Sequence, residues 1–256
     1  MNTYLVFRLY GPMASWGEIA VGESRHSAVY PSRSALLGLL GAALGVERED
    51  DAGQMALVSG YRLAVKMISA GSPLRDYHTV QAPPQRRNTK YRTRRQELAD
   101  GEQLNTLLSA REYRCDAMAL VVVEAWNNAL WPLEQMQKAL LRPVFALYLG
   151  RKSCPLALPL DPQLIEAENA WMAASRTRQP SLASLLYSDQ QHPWPAKSDR
   201  YLLRPSAPRF YWEEGMISGV QQSMQLMRND QPLSRRRWQF APRREWMALL
   251  PEERAQ

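Results

Sequence analysis

The segment from Gln85 to Arg95, QRRNTKYRTRR, restricts the possible folds of this chain more than any other. Its eleven residues include no acid and six cations, which are Arg86, Arg87, Lys90, Arg92, Arg94 and Arg95. These charges cannot enter a core, because each unpaired buried charge would cost several kcal/mol. The segment must therefore lie on the surface, and guanidinium groups with a central tyrosine suit phosphates and bases better than a carboxylate. A solvated basic loop without a ligand is the alternative.

Periodic apolar patterns on both sides of this segment predict an α+β fold. Four strands are predicted, at Tyr4–Tyr10, Tyr61–Ile68, Ala117–Trp126 and Val144–Leu149. Helical spacing predicts helices at Pro31–Gly45 and Pro132–Leu141. The order is β-α-β-insertion-β-α-β, with the insertion at about residues 70–112, which matches a ferredoxin-like (RRM-like) βαββαβ domain. We expect that domain to span residues 1–160, with a first strand that is half-buried. Fold alone does not give the function.

The first helix, PSRSALLGLLGAALG, carries a stripe of small residues at Ala35, Gly38, Ala42 and Gly45. Ser32 or Ser34 can cap its start, and Gly45 can provide the left-handed stop. Glycines inside a helix are costly, so Gly38 and Gly41 suggest that another backbone approaches closely. Free N–H groups in the first turn, with Arg33 and Ser34, would form an anion site. Ordinary packing of the helix on a sheet is the alternative.

The last third of the chain has a different character. Residues 161–200 are predicted to be a linker or insertion with a short helix near Ile165–Ala174, and residues 201–256 a small basic β region. Its strand candidates are Tyr201–Arg204, Arg209–Trp212 and Arg237–Phe240. A second arginine-rich run could contact RNA, DNA or protein; its candidate residues are Arg235, Arg236, Arg237, Trp238, Arg243 and Arg244.

Composition excludes several classes of protein. The chain has 256 residues, a net charge of +7 and 45% hydrophobic residues, which favours a folded protein with an anionic partner. Its two cysteines, Cys115 and Cys154, lack zinc-ligand spacing, so we expect no metal and no other cofactor. No apolar run is long enough to span a membrane, and the first residues are predicted to form a strand rather than a signal peptide. A cytoplasmic protein is expected.

Several motifs together resemble the fifth family of CRISPR-associated proteins, as found in type I-E Cascade complexes. They are LYGPMASWG at 9–17, PSRSALLGLLGAALG at 31–45, RDYHTV at 75–80, REYRCDA at 111–117, LYLGRKSCPLALPL at 147–160 and, more weakly, WQFAPRREW at 238–246. The resemblance covers most of residues 1–160 and part of the C-terminus. It implies a ferredoxin-like domain with a protruding thumb, which would be the insertion at 70–112.

The resemblance also implies partners. Family members cap the 5′ handle of the CRISPR RNA, contact the backbone subunit CasC through the thumb, support the large subunit CasA, and meet target DNA indirectly. In type I-E systems another subunit, CasE, cuts the precursor RNA. The candidate RNA-binding residues are Trp16, Arg25, Arg33, Ser34, Tyr77, His78, Arg86, Arg87, Lys90, Arg92, Arg94, Arg95, Arg111, Arg151, Lys152 and Ser153. Trp16 could stack a base or be part of the core.

These observations favour a non-catalytic RNA-binding subunit of an RNA-guided surveillance complex, whose sequence specificity comes from the guide. Two alternatives stay open. A metal-independent endoribonuclease could use His26 or His78 as its base, as some type I-C relatives cleave RNA. The chain could instead be a protein–protein adaptor with incidental charge.

Overall fold

The computed structural model describes residues 1–20, 22–84, 90–99, 104–177 and 209–250. Five α-helices occur in these ranges: α1 (Arg33–Leu44), α2 (Asp51–Gly60), α3 (Arg94–Ala99), α4 (Leu133–Leu141) and α5 (Ala170–Arg176). The strands are β1 (Asn2–Tyr10), β2 (Met13–Ala14), β3 (Trp16–Gly17), β4 (Ser24–Arg25), β5 (Ser27–Ala28), β6 (Tyr61–Ser69), β7 (Ser72–Ala82), β8 (Asn105–Cys115), β9 (Met118–Ala125), β10 (Gln163–Ala167), β11 (Arg209–Glu213), β12 (Met224–Ser234) and β13 (Gln239–Leu249). The fold is therefore mixed and strand-rich.

One seven-stranded antiparallel sheet organises the chain, in the order β10-β1-β9-β6-β11-β13-β12. Three of the four strands predicted for the N-terminal part are confirmed as β1, β6 and β9, and β9 lies inside the sheet between β1 and β6. The fourth was wrongly placed at Val144–Leu149. Val144 and Phe145 instead donate their backbone N–H groups to the α1 carbonyls of Ala43 and Ala42, at 3.1 and 3.0 Å.

The fourth neighbouring strand is β10, which pairs with β1 from Asn2↔Ala167 to Val6↔Gln163. It lies in the segment that the sequence analysis assigned to a linker, so residues 161–177 were wrongly interpreted. The expected short helix is present as α5, although it begins only at Ala170. Residues 178–208, including the strand candidate Tyr201–Arg204, lie outside the described residues.

The C-terminal strands continue the same sheet. β11 pairs with β6 from Arg209↔Met67 to Trp212↔Ala64, and β13 and β12 extend the sheet outward. The strand candidate Arg209–Trp212 is confirmed. The candidate at Arg237–Phe240 is largely wrong, because Arg235 to Trp238 form the turn that joins β12 to β13.

Apolar side chains are buried on both faces of the sheet. Leu5, Phe7 and Leu9 of β1 belong to a core beneath α1 and α4, whereas Tyr4 and Val6 belong to a second core beneath α5. The alternation predicted for β1 is confirmed, but its expected half-burial is wrong. The second face is covered by α5, which the sequence did not place over the sheet.

The ends of α1 follow the sequence closely. The Ser32 side chain accepts a hydrogen bond from the Ala35 N–H, and Gly45 ends the helix at φ +81°, where a side chain would be strained. A side chain, rather than a backbone, approaches Gly38, because a Cβ there would collide with Nη2 of Arg235. The interior glycine therefore makes room for a guanidinium.

Candidate nucleic-acid interface

Strands β7 and β8 form a long hairpin at the insertion. They pair antiparallel from Ser72↔Cys115 to Ala82↔Asn105, with eleven residues in each strand. At about 3.3 Å per residue each arm is about 36 Å long. Most side chains of β7 are exposed on both of its faces, so the hairpin projects from the body. We call this hairpin, with α3, the thumb.

The base of the thumb is fixed to the body by short strands. β2 pairs with the end of β8 at Cys115 and Arg114, and β4 pairs with it at Ala110 and Arg111. The Ser15 hydroxyl donates a hydrogen bond to the Glu112 carbonyl at 3.0 Å. Because a two-stranded hairpin is only marginally stable alone, these contacts determine where the thumb points.

One face of the thumb base collects four of the predicted residues. Arg25 lies opposite Arg111 in the register, and His78 lies two positions from Asp76, which is also opposite Arg111. Residues opposite or two apart in a sheet share a face. Arg151 reaches the same face, since its guanidinium carbon lies 4.9 Å from the centre of the Tyr113 ring.

His78 on this face is paired within the protein, because its Nδ1 lies 3.2 Å from Asp76 Oδ2. Arg151 is half-buried, and its Nη1 is buried without a hydrogen-bond partner within the described part of the chain. The arginine guanidinium groups of this face are what would suit it to an anion. Lys152 and Ser153 are exposed in the same turn, although they follow an irregular segment and not the predicted strand.

The opposite face carries Tyr77, which is exposed, and Arg75, which lies opposite Glu112. His26 Nδ1 is 3.1 Å from Glu112 Oε1. Partial burial raises the pKa of Glu112, but hydrogen bonds from His26 and Ser27, with the charges of His26 and Arg75, outweigh it. The pKa of Glu112 therefore lies below its usual value, and this carboxylate stays ionised.

The described part of the basic segment, residues 90–95, belongs to the thumb and is exposed. Lys90, Arg92, Arg94 and Arg95 all reach solvent, whereas Arg86 and Arg87 lie outside the described residues. Arg94 pairs with Glu97 at 2.6 Å and also donates to the Gln81 carbonyl, which fastens α3 to β7. The prediction that this segment stays on the surface is confirmed for residues 90–95.

Trp16 lies in the core. Its side chain is only 4% exposed, and its backbone N–H donates to the Ser27 hydroxyl at 3.0 Å. A base cannot stack on a ring that the protein already covers. The stacking role is therefore wrong, and the core alternative is correct.

The anion site expected at the start of α1 is filled by the protein itself. The Arg33 N–H donates to Asp230 Oδ2 at 2.7 Å, and the buried Arg33 guanidinium pairs with Glu213. It also donates to the Val58 carbonyl at 2.6 Å. Arg33 is therefore a structural residue and not an RNA contact. Ser34 is half-buried, and its hydroxyl lies 3.0 Å from that of Ser32.

The second arginine-rich run divides into buried and exposed residues. Arg243 is buried and bonds Asp230 at 2.6 and 3.0 Å and Glu245 at 2.6 Å, so its predicted nucleic-acid contact is wrong. Arg235 lies against α1 at Gly38. The exposed members of the run are Arg236, Arg237, Trp238 and Arg244.

A compact ionic cluster results beneath the start of α1. The hydroxyl of Tyr30 donates to Glu245 at 2.5 Å, and its ring stacks on Tyr211 with centroids 3.7 Å apart. Burial, and then the Glu245 charge, raise the pKa of Tyr30. Burial lowers the pKa of Arg243, but the hydrogen bond to Asp230 and the nearby carboxylates outweigh it, so that pKa is raised. The cluster joins α1 to β12 and β13.

Comparison with known proteins shows the family. A family described as "CRISPR-associated protein (Cas_Cas5)" matches residues 4–244. The chain belongs to the Cas5 family of CRISPR-associated proteins.

Individual relatives agree with this family. Over 168 residues the chain is 36% identical to the CRISPR system Cascade subunit CasD of Escherichia coli (strain K12), covering 62% of this chain and 70% of that protein. A chain of a CRISPR RNA-guided surveillance complex is similar in fold, with a TM-score of 0.59, 22% identity, and coverage of 97% and 90%. A crystal structure of a Cas protein gives a TM-score of 0.56, 25% identity, and coverage of 98% and 97%.

Sequence reasoning missed two arginines of this Cas5 chain. Arg75 and Arg114 lie on the same face of the thumb as Tyr77, as the alternation along β7 and β8 shows. The period-2 pattern that locates them was present in the sequence, but residues 70–112 were interpreted only as an insertion that interrupts the strand pattern. Its two-residue repeat could have placed them beside Tyr77.

Two classes of site are not found in the described ranges. There, no group of three or more histidine, cysteine, aspartate or glutamate side chains is arranged to hold a metal ion. None of the helices described has the length and hydrophobicity that a bilayer span requires.

Proposed function

We propose that this chain is the non-catalytic subunit of a type I-E Cascade complex that binds and caps the 5′ handle of the CRISPR RNA in the cytoplasm. Membership of the Cas5 family and similarity to a Cascade CasD subunit support the complex. The observation that carries the RNA role is the basic face of the thumb base, where Arg25, Arg111 and Arg151 meet. Its unsatisfied Arg151 donor would bind a handle phosphate.

The strand order supports a ferredoxin-like domain as the platform for this face. The order β10-β1-β9-β6, with α1 after β1 and α4 after β9, corresponds to a βαββαβ domain. We infer that this domain includes residues 2–167, since β10 completes it. The thumb is inserted between its second and third strands, so handle RNA would lie between thumb and sheet.

The exposed tip of the thumb would contact the terminal CasC subunit. Arg92 and Arg95 reach solvent, and Val80 and Leu107, directly opposite each other in the hairpin, are also exposed. Exposed cations beside exposed apolar side chains would suit a CasC surface along which RNA phosphates also lie. The CasA subunit would bind elsewhere on the body, and target DNA would meet this chain only through the assembled complex.

An endoribonuclease is the second candidate, because His26 and Glu112 form a close pair beside Arg75. A histidine held by a carboxylate could accept a proton from a ribose 2′-OH, and an arginine could stabilise the phosphate. The His26 side chain is 56% exposed and that of Glu112 33%, so water reaches the pair, and we favour the binding role.

One experiment separates these functions. The chain is tagged and co-expressed with its neighbouring genes and a CRISPR array, with and without the CasE gene, and the 5′ ends of bound RNA are sequenced. Uniform handle ends only with CasE support the capping role. Uniform ends without CasE, lost in His26→Ala or His78→Ala, would support the nuclease. Binding of handle RNA no tighter than unrelated RNA would support an adaptor.

A further inference from the structure

Two separate segments lie side by side on the stripe of small residues of α1. The segment 141–148 follows α4, and Val144 lies beside the end of α1, so that a Cβ added at Gly45 would be 3.1 Å from Val144 Cγ1. Its backbone hydrogen bonds to Ala42 and Ala43 hold it there. The small residues of α1 therefore allow this segment to lie against the helix without forming a strand.

The second segment is the turn Arg235–Trp238. Arg235 occupies the space that Gly38 leaves open, and Nε of Arg48 donates to the Arg235 carbonyl at 3.4 Å. The Arg48 guanidinium lies 4.4 Å from the centre of the Trp238 ring. Burial, and then Arg48, lower the pKa of Arg235 while Tyr148 opposes this, which places Tyr148 near the turn.

Large apolar side chains from both segments face solvent. The exposed fractions are 62% for Leu141, 65% for Val144, 44% for Phe145, 40% for Tyr148 and 61% for Trp238. We call these five residues the apolar patch. Single exposed apolar residues are ordinary, but a cluster is typical of an interaction site.

The rim of the apolar patch is cationic. Arg48, Arg142, Arg236 and Arg237 are exposed in the same two segments or beside them. Aromatic residues and arginine are enriched in protein interfaces, and they supply most of their strong contacts. Phe145, Tyr148 and Trp238 could stack on bases, but the two most exposed members, Val144 and Leu141, are aliphatic and offer no flat surface to a base. This favours protein over nucleic acid as the occupant.

We propose that the apolar patch binds a protein subunit of the complex. The surface of that subunit which contacts the patch would have apolar side chains at its centre and carboxylates around them. The apolar groups would pack on Val144, Phe145 and Tyr148, and the carboxylates would pair with the arginines of the rim. This inference rests on the proposed function only in requiring that the chain acts within a multisubunit complex. The residues are separate from both arms of the thumb.

The test uses the whole complex, purified through a tag on this chain after co-expression with its neighbouring genes and a CRISPR array. Phe145→Glu should lower the amount of one protein subunit at least tenfold, because it places an anion in the patch. Ile217→Glu is the control, because Ile217 is also an exposed apolar residue, 59% exposed against 44% for Phe145, but lies after β11. It should leave every subunit in place.

A crosslinking measurement identifies the occupant. A photoreactive benzoylphenylalanine at position 145 should join this chain to a subunit at a segment containing both apolar and acidic residues. If Phe145→Glu lowers the melting temperature, Arg142→Glu provides the same test at the exposed rim and should lose the same subunit. Crosslinks to RNA, DNA or a second copy of this chain, or full subunit retention in both variants, would overturn the proposal.

Failure of the proposed function has a different signature. If the RNA assignment is wrong, uniform handle ends appear without CasE, or the chain binds handle RNA no tighter than unrelated RNA, while the patch-dependent subunit is still retained. If only the patch assignment is wrong, handle ends stay uniform in wild type while Phe145→Glu has no effect on subunit content.

Discussion

The two arginine-rich segments of this chain resemble each other in sequence, yet they lie in opposite environments. Lys90 to Arg95 are exposed on the thumb, with Glu97 as the nearby acid of α3. In the second segment, Arg243 is buried between Asp230 and Glu245. The acids that β12 and β13 bring together decide the difference, so an arginine-rich sequence does not by itself identify a nucleic-acid contact.

The same contrast occurs within the second segment. Arg243 and Arg244 are consecutive, but alternation along β13 turns one toward the ionic cluster and the other toward solvent. Arg244 meets Glu214 at 3.4 Å, and both of those side chains are exposed. Arg243 and Arg244 therefore form a matched pair. Substituting each in turn compares a charge inside the ionic cluster with a charge on the surface.

The largest expected effect comes from removing the buried charge. Arg243→Met should lower the free energy of unfolding by about 3–5 kcal/mol, because it leaves buried carboxylates without their partner. Arg244→Met should change it by less than about 0.5 kcal/mol, since exposed ion pairs contribute little. Urea unfolding followed by circular dichroism measures both, and equal effects would show that the two segments do not differ as described.

Charge reversal on the thumb should affect binding instead of stability. Exchanging Arg92, Arg94 and Arg95 for glutamate should strongly weaken assembly with handle RNA while the melting temperature changes little, because Arg94 fastens only the exposed helix α3 to β7. Loss of up to three phosphate contacts should reduce the salt slope of the remaining RNA binding by about 2, at roughly 0.7 per contact.

A single-site comparison controls for net charge. Arg95→Glu should weaken RNA binding more than Lys138→Glu, which makes the same change on the exposed side of α4. An RNA-loaded complex that assembles normally from the triple variant would refute the assignment of the thumb.

Arg151 should show an intermediate effect. Arg151→Met keeps the apolar contact with Tyr113 but removes the unsatisfied donor, so we expect handle RNA to bind about tenfold more weakly. Lys152→Met, at the next position in the same turn and exposed, should change affinity less. Filter binding at fixed salt compares them, and a larger loss in Lys152→Met would place the phosphate elsewhere.

The contact between Arg235 and Gly38 should give the smallest change. Gly38→Ala alone should be nearly neutral, because a gain of about 1 kcal/mol in helix propensity is offset by displacing Arg235. In an Arg235→Ala background the same substitution should stabilise the protein by about 1 kcal/mol. A double-mutant cycle measures this coupling, and additive effects would exclude the contact.

Local patterns allowed much of the fold to be predicted. The alternation in β1 and β6, the continuous apolar residues of β9 and the caps of α1 are each encoded by neighbouring residues. The Val144–Leu149 prediction failed for a physical reason. A short apolar run is equally suited to a strand and to an exposed interaction surface, and its periodicity does not separate the two.

The amino-acid sequence by itself determined the strands β1, β6 and β9 and the helices α1 and α4, that residues 90–95 stay in solvent, and which family the chain resembles. Only the tertiary structure decided that Arg33 and Arg243 are internal, that Gly38 receives a guanidinium, and that Arg25, Arg111 and Arg151 share a face. Burial of a charge depends on whether an opposite charge from elsewhere in the chain is in place, since desolvation must be compensated at the same point in space. The number of residues between two charges in the sequence does not reveal whether the fold brings them into contact.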